Sequence, residues 1–142
     1  MHLQLITPEG TTVDEMVDSV TLPTGEGEIT VLPGHIPIVS VLKAGTVMIK
    51  RGGKVDFFAV SKGVVEVSAT GVRILADSAD RAADLEEQAI EKAKESAEKL
   101  KSERRHDAEG FAEAVAILDR ELARLRTVRR HRSHHGVIRK ES

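Results

Sequence analysis

Val47-Met48-Ile49-Lys50-Arg51-Gly52-Gly53-Lys54-Val55-Asp56-Phe57 is two alternating runs joined by a glycine pair. Val47 and Ile49 precede the pair, and Val55 and Phe57 follow it. Successive strand side chains point to opposite faces, so each run presents one apolar edge. A tight primed turn needs positive φ at its two central positions, which glycine adopts freely, so the stretch predicts a β-hairpin. The same period of two recurs at Leu3/Leu5, Val65/Val67 and Val72/Ile74. Pro8-Glu9-Gly10, Gly25-Glu26-Gly27, Pro33-Gly34, Lys62-Gly63 and Thr70-Gly71 punctuate the runs. Short strands at roughly ten-residue spacing predict a sandwich or flattened barrel.

The pattern changes after residue 80. Residues 1–80 hold 9 of the 11 glycines and all four prolines; the remainder keeps only Gly110 and Gly136. Loss of turn residues permits long helices. Phe111, Val115, Leu118, Leu122 and Leu125 are spaced as a heptad seam, and Leu85, Ala89, Ala93, Ala97 and Leu100 form a mainly alanine stripe upstream. Asp84 with Glu87 fits a capping box, Asp107 fits the cap of a second helix, and the polar Ser102 to His106 fits a turn. The expected class is α+β: an antiparallel β-sandwich at residues 1–82, an αα-hairpin at 83–128, and a basic, disordered tail at 129–142. Two helices of this size bury little by themselves, so the hairpin should separate or re-dock readily unless a partner covers it.

Charge follows the same division. The first 80 residues carry net −4 and the last 62 carry +2, with +6 concentrated from Arg120 to Ser142. Absence of cysteine excludes disulfides, thiol nucleophiles and thiolate metal sites. The longest uncharged run, Ile29 to Leu42, is interrupted by Pro33, Gly34 and Pro37, so no membrane-spanning helix is expected. The N-terminus lacks a basic region followed by an apolar core, so no secretory signal is expected and the chain reads as intracellular and soluble. Three phenylalanines are the whole aromatic content, too few for a surface that stacks single-stranded nucleic acid.

Chemistry-bearing motifs are sparse. Gly25-Glu26-Gly27 lacks the lysine of a phosphate loop and the third glycine of a dinucleotide fingerprint, and Glu26 and Glu28 would repel phosphate. His35, between Pro33-Gly34 and Ile36-Pro37, reads as a loop-fixing hydrogen-bond partner rather than a catalytic base. His131, His134 and His135 have helical metal-ligand spacing, but the arginines among them oppose a cation, so no functional metal is expected. With no nucleophile–base pair or carboxylate pair in evidence, the chain does not read as an enzyme.

Gly27-Glu28-Ile29-Thr30-Val31-Leu32-Pro33-Gly34-His35-Ile36-Pro37 resembles the Gly-Glu-aliphatic run and Pro-Gly-His-x-Pro loop of the F-type ATP synthase epsilon subunit family. Leu5-Ile6-Thr7-Pro8-Glu9-Gly10, Lys62-Gly63-Val64-Val65-Glu66-Val67 and Val72-Arg73-Ile74-Leu75-Ala76-Asp77-Ser78-Ala79 extend the likeness, which covers about residues 2–127. The resemblance implies a non-catalytic central-stalk subunit of the bacterial type. Its sandwich would sit on the gamma subunit and the c-subunit ring, with Glu28, Pro33, Gly34 and His35 toward the ring and gamma. Its C-terminal helices would switch between compact and extended forms and inhibit ATP hydrolysis. Arg120, Arg124, Arg126, Arg129 and Arg130 would then meet the beta subunit beside alpha. It also implies peripheral attachment, through the complex, at the cytoplasmic face of the plasma membrane, with no nucleic acid partner and no resident cofactor.

Some members of that family bind regulatory ATP on the folded hairpin through an aliphatic-Asp-x-x-Arg-Ala motif and later arginines. Here Glu86 stands for the Asp, Arg120 and Arg124 match the later arginines, but Ala89 replaces the motif's Arg. Loss of one charge-assisted hydrogen bond costs about 1.5–3 kcal/mol, roughly tenfold or more in affinity. Weak or absent nucleotide binding is expected. From the residues alone a second reading stays open: a free-standing binding module whose basic tail docks on nucleic acid.

Overall fold

The computed structural model describes residues 1–141, with side chains through residue 134. Ten strands come first: β1 (His2–Thr7), β2 (Gly10–Met16), β3 (Ser19–Thr24), β4 (Gly27–Val31), β5 (Ile38–Leu42), β6 (Gly45–Arg51), β7 (Lys54–Val60), β8 (Gly63–Val67), β9 (Gly71–Ala76) and β10 (Ala79–Arg81). A 3-10 turn, Ala82–Asp84, leads to α1 (Glu87–Glu103) and α2 (Ala108–Glu141). The expected sandwich and helix pair are both present.

The sheet runs in the order β10-β7-β6-β3-β5-β8-β9-β1-β2, with β4 attached to β3. Its pairs are antiparallel except β1–β9, which is parallel and ties the first strand to the ninth. The glycine pair makes the expected hairpin: Arg51 faces Lys54, and Gly52 and Gly53 have φ of 55° and 81°. Gly63 answers a different demand, since a Cβ there would lie 1.9 Å from the carbonyl oxygen of Leu75. Any side chain at that position would force β8 and β9 apart.

The sheet curls around one apolar core that includes Leu3, Leu5, Leu22, Val47, Phe58 and Ile74. All core side chains come from the first 80 residues. In β7 the alternation gives way to four consecutive buried residues, Phe57 to Val60. Phe58 and Val60 belong to the core. Phe57 and Ala59 are on the opposite face, where α2 packs across β6 and β7.

Three helical expectations need correction. The capping box does not form, because Leu85 is extended and α1 begins after Glu86, which makes no side-chain capping bond. The alanine stripe fails at one position: Ala89 is exposed and its neighbour Ile90 is buried, while Ala93, Ala97 and Leu100 are at least partly buried as expected. The residues from Arg129 to His134 are not disordered but continue α2, because this stretch has partners on two sides, described below. His135 and the remainder of the expected tail lie outside the described side chains. Asp107 does stand directly before α2, and its carbonyl accepts from the Phe111 N–H at 2.7 Å.

Because the core draws nothing from the helices, a fragment ending at Ala83 should fold. It should melt cooperatively, with the newly uncovered Phe57 and Ala59 lowering its stability by a few kcal/mol at most. Circular dichroism melts of the fragment and the full chain make the comparison; a non-cooperative fragment would contradict a self-sufficient sandwich.

Candidate functional site

Two faces of the sandwich differ in what covers them. On the outer face of β5, β8, β9 and β1, register places Val41 opposite Val64, Val64 opposite Leu75, and Leu75 opposite Ile6. Val41 is 61% exposed, Val64 39% and Leu75 41%. Val39, two residues along β5 from Val41, is 75% exposed, and Ile36 in the loop before β5 is 76%. An apolar row crossing four strands and open to water is costly for a folded chain and marks a contact surface. Sequence reasoning missed it. The signal was present in the doublets Leu5-Ile6, Val41-Leu42, Val64-Val65 and Ile74-Leu75, where both faces of a strand are apolar.

The Pro33-Gly34-His35 loop borders this face. Gly34 takes φ +83°, the His35 N–H donates to the Leu32 carbonyl at 3.1 Å, and His35 Nδ1 donates to the Ile36 carbonyl at 2.8 Å. His35 is therefore a loop-fixing donor, as its setting suggested. Pro33 and Gly34 are exposed. Glu28 lies on β4 opposite Pro23, and its exposed carboxylate pairs with Arg130 at 3.3 Å. That partner comes from the far end of α2 and could not be read from sequence separation.

The hairpin sits on the other side. Thr46 on β6 and Thr127 on α2 share a buried hydrogen bond of 2.8 Å. Thr127 also donates to the Ala123 carbonyl, so its single proton goes along the helix and the Thr46 hydroxyl donates across the interface. One turn earlier, Arg124 Nε and Nη2 reach Asp80 Oδ2 at 3.0 and 2.8 Å, while Nη1 donates to Glu121 Oε1 at 2.9 Å. Glu121 is only 2% exposed and also receives Arg120. Further on, His131 and His134 stand edge-on to Phe57 with ring centroids 6.0 and 5.6 Å apart, and Arg130 lies over the same ring at 5.7 Å. No cluster of three or more metal-ligating side chains exists among the described residues. This seat is polar along much of its length, unlike the core.

The arginines at the helical end are divided by this packing. Arg120 and Arg124 serve Glu121 and Asp80, Arg129 pairs with Glu87 and Glu91, and Arg130 pairs with Glu28. Arg126 is exposed and has no ion pair among the described residues. An open cleft between α2 and the sandwich is lined by Lys43, Lys62, Asp77, Asp80, Arg120 and Arg126. Glu86, at the start of α1, is not part of its lining. The three positions of the incomplete nucleotide motif are thus not gathered around this cleft.

Residues 1–82 match the family model described as ATP synthase, Delta/Epsilon chain, beta-sandwich domain. The ATP synthase epsilon chain of Nitratidesulfovibrio vulgaris strain DP4 is 41% identical over 126 residues, covering 89% of this chain and 93% of that one. The ATP synthase epsilon chain of Halalkalibacterium halodurans is 39% identical over 125 residues, covering 88% and 94%. Among solved structures, a chain of the Euglena gracilis mitochondrial ATP synthase (OSCP/F1/c-ring) aligns with a TM-score of 0.71 at 28% identity. That alignment covers 82% of this chain and 74% of the other.

The Thr46–Thr127 bond offers a test of how the hairpin is held. Thr127→Val leaves a buried hydroxyl on Thr46 without its acceptor and should weaken the seat by about 1–2 kcal/mol. Thr46→Val with Thr127→Val removes both partners and should return close to the parent. Tryptic cleavage within α2 of the folded protein, which follows the opened population, reads the difference. Equal cleavage of parent and single variant would mean that the bond contributes nothing.

Proposed function

Because the chain belongs to the ATP synthase Delta/Epsilon chain family, we propose that it is the non-catalytic epsilon subunit of a proton-translocating rotary ATP synthase, standing in the central stalk. In this reading the sandwich links rotation of the c-subunit ring to the catalytic head, and the hairpin restrains ATP hydrolysis. The observation that carries it is the exposed row of Val41, Val64, Leu75 and Ile6. A rigid sheet with one open apolar face suits permanent attachment to a long partner such as gamma, which would cover that row. Glu28 and the Pro33-Gly34-His35 loop then face the ring, where an acidic side chain complements basic loops. No helix among the described residues is long and apolar enough to cross a membrane. In this reading attachment runs through the complex, at the cytoplasmic face of the bacterial plasma membrane.

The regulatory half rests on α2. In the compact form Arg120, Arg124, Arg129 and Arg130 are all engaged within the chain. Contact with an acidic segment of the beta subunit therefore requires exchange of partners, and the balance between the two sets decides the state. Screening by salt weakens both sets. Arg120 and Arg124 being held by carboxylates also supports weak nucleotide binding.

The decisive experiment is co-purification from membranes with the tagged full chain. Alpha, beta, gamma and c subunits should be recovered. Val64→Lys with Leu75→Glu, an opposite-charge pair across β8 and β9, should lose gamma while changing the melting temperature of the isolated protein little, because both positions are already exposed. Recovery of gamma by the double variant would take this face out of the interface. Arg126 tests the inhibitory contact without disturbing the compact form. Arg126→Ala should relieve inhibition of ATP hydrolysis in the assembled enzyme by roughly two- to fivefold, the scale of one exposed ion pair. Unaltered inhibition would make Arg126 a solvated residue only.

A further inference from the structure

The heptad seam of α2 does not stop at Leu125. Continued by steps of four and three, it reaches positions 129 and 132, and both are arginine. Phe111, at the other end of the seam, lies under Lys101 of α1 with Nζ 5.7 Å from the ring centroid, so that end of the seam faces α1. Where it should meet the start of α1, Arg129 reaches Glu87 at 3.2 Å and Glu91 at 3.3 Å, and Arg132 reaches Glu87 at 2.8 Å. Between them, Arg130 turns to the sandwich, lying over Phe57 and pairing with Glu28 at 3.3 Å. Three arginines within four residues thus join the end of α2 to α1 on one side and to β4 on the other.

We propose that Arg129, Arg130 and Arg132 form an electrostatic latch that closes the compact hairpin by gripping Glu87, Glu91 and Glu28. Glu87 and Glu91 lie one turn apart near the start of α1, where carboxylates are already favoured by the helix dipole, so the acidic side of the latch is prepared before α2 arrives. Upstream the two helices meet through apolar and small side chains, which hold at any ionic strength. At the latch the same seam is closed by charges, which do not. The side chains concerned range from 25% to 66% exposed, so each pair holds only weakly and the latch acts as a set. It is therefore the point at which salt, or a competing acidic surface, can start to peel α2 away while the seat around Thr127 remains closed. The latch is a property of the isolated chain and does not depend on the partners proposed above.

Hydrogen exchange followed by mass spectrometry on the isolated full chain tests it. Raising salt from about 0.05 M to about 0.5 M should speed exchange of the α2 amides around residues 129–134 several-fold, with β1, β8 and β9 unaffected as an internal control of folding. Arg129→Gln, Arg130→Gln and Arg132→Gln together should speed the same amides about tenfold at low salt and abolish the salt effect. Charge reversal then separates pairing from lost packing. Arg130→Glu alone should loosen the segment, and Glu28→Arg added to it should restore protection. Exchange in α2 that ignores both salt and the triple substitution would overturn the latch. Failure of the reversed Glu28–Arg130 pair to restore protection would remove the β4 arm.

Discussion

Arg124 holds Asp80 of β10 and the buried Glu121 of its own helix at once, and the Thr46–Thr127 bond lies one turn away. These are the polar contacts at the centre of the seat that attaches the helical half to the strand half. Their polar nature is a constraint on everything else the hairpin does. A seat made of Leu and Phe alone would fuse the hairpin to the sandwich core. A seat made of paired hydroxyls and ions can open, because water and other polar partners replace what is lost. Opening is still resisted, since it breaks the buried Thr46–Thr127 bond and the Arg124–Asp80 pair and uncovers Phe57 and Ala59.

That constraint explains the division of labour in the chain. The sandwich closes its own core, with the parallel β1–β9 pair fastening the start of the chain to its last long strands. It needs nothing from α1 or α2 in its interior. It therefore keeps one apolar face uncovered while its opposite face carries the hairpin. The open face and the hairpin seat lie on different strands, β5-β8-β9-β1 against β6-β7. Occupation of one leaves the other unobstructed.

Charge follows packing in the same way. The excess of arginine after residue 120 reads in the sequence as a free basic arm. In the folded chain most of those arginines stand against carboxylates of the sandwich or of α1. The basic end is better described as self-neutralised than as extended and exposed.

The amino-acid sequence by itself determined the strands, the Gly52-Gly53 hairpin, the change to helix after residue 80 and the seam from Phe111 to Leu125. Each follows from local rules: side-chain period, turn conformation and the placing of Gly and Pro. Asp84 shows where those rules stop, since its capping signature was real but the extended Leu85 carried the chain past it. Tertiary structure alone decided three things. It brought Arg130 to Glu28 across 102 positions, it chose α2 as the cover for Phe57 and Ala59, and it left Val41, Val64 and Leu75 uncovered. Apolar doublets announce that both faces of a strand are dry or sticky, but not what covers each. That depends on which elements the sheet order brings alongside, and period and propensity carry no information about sheet order.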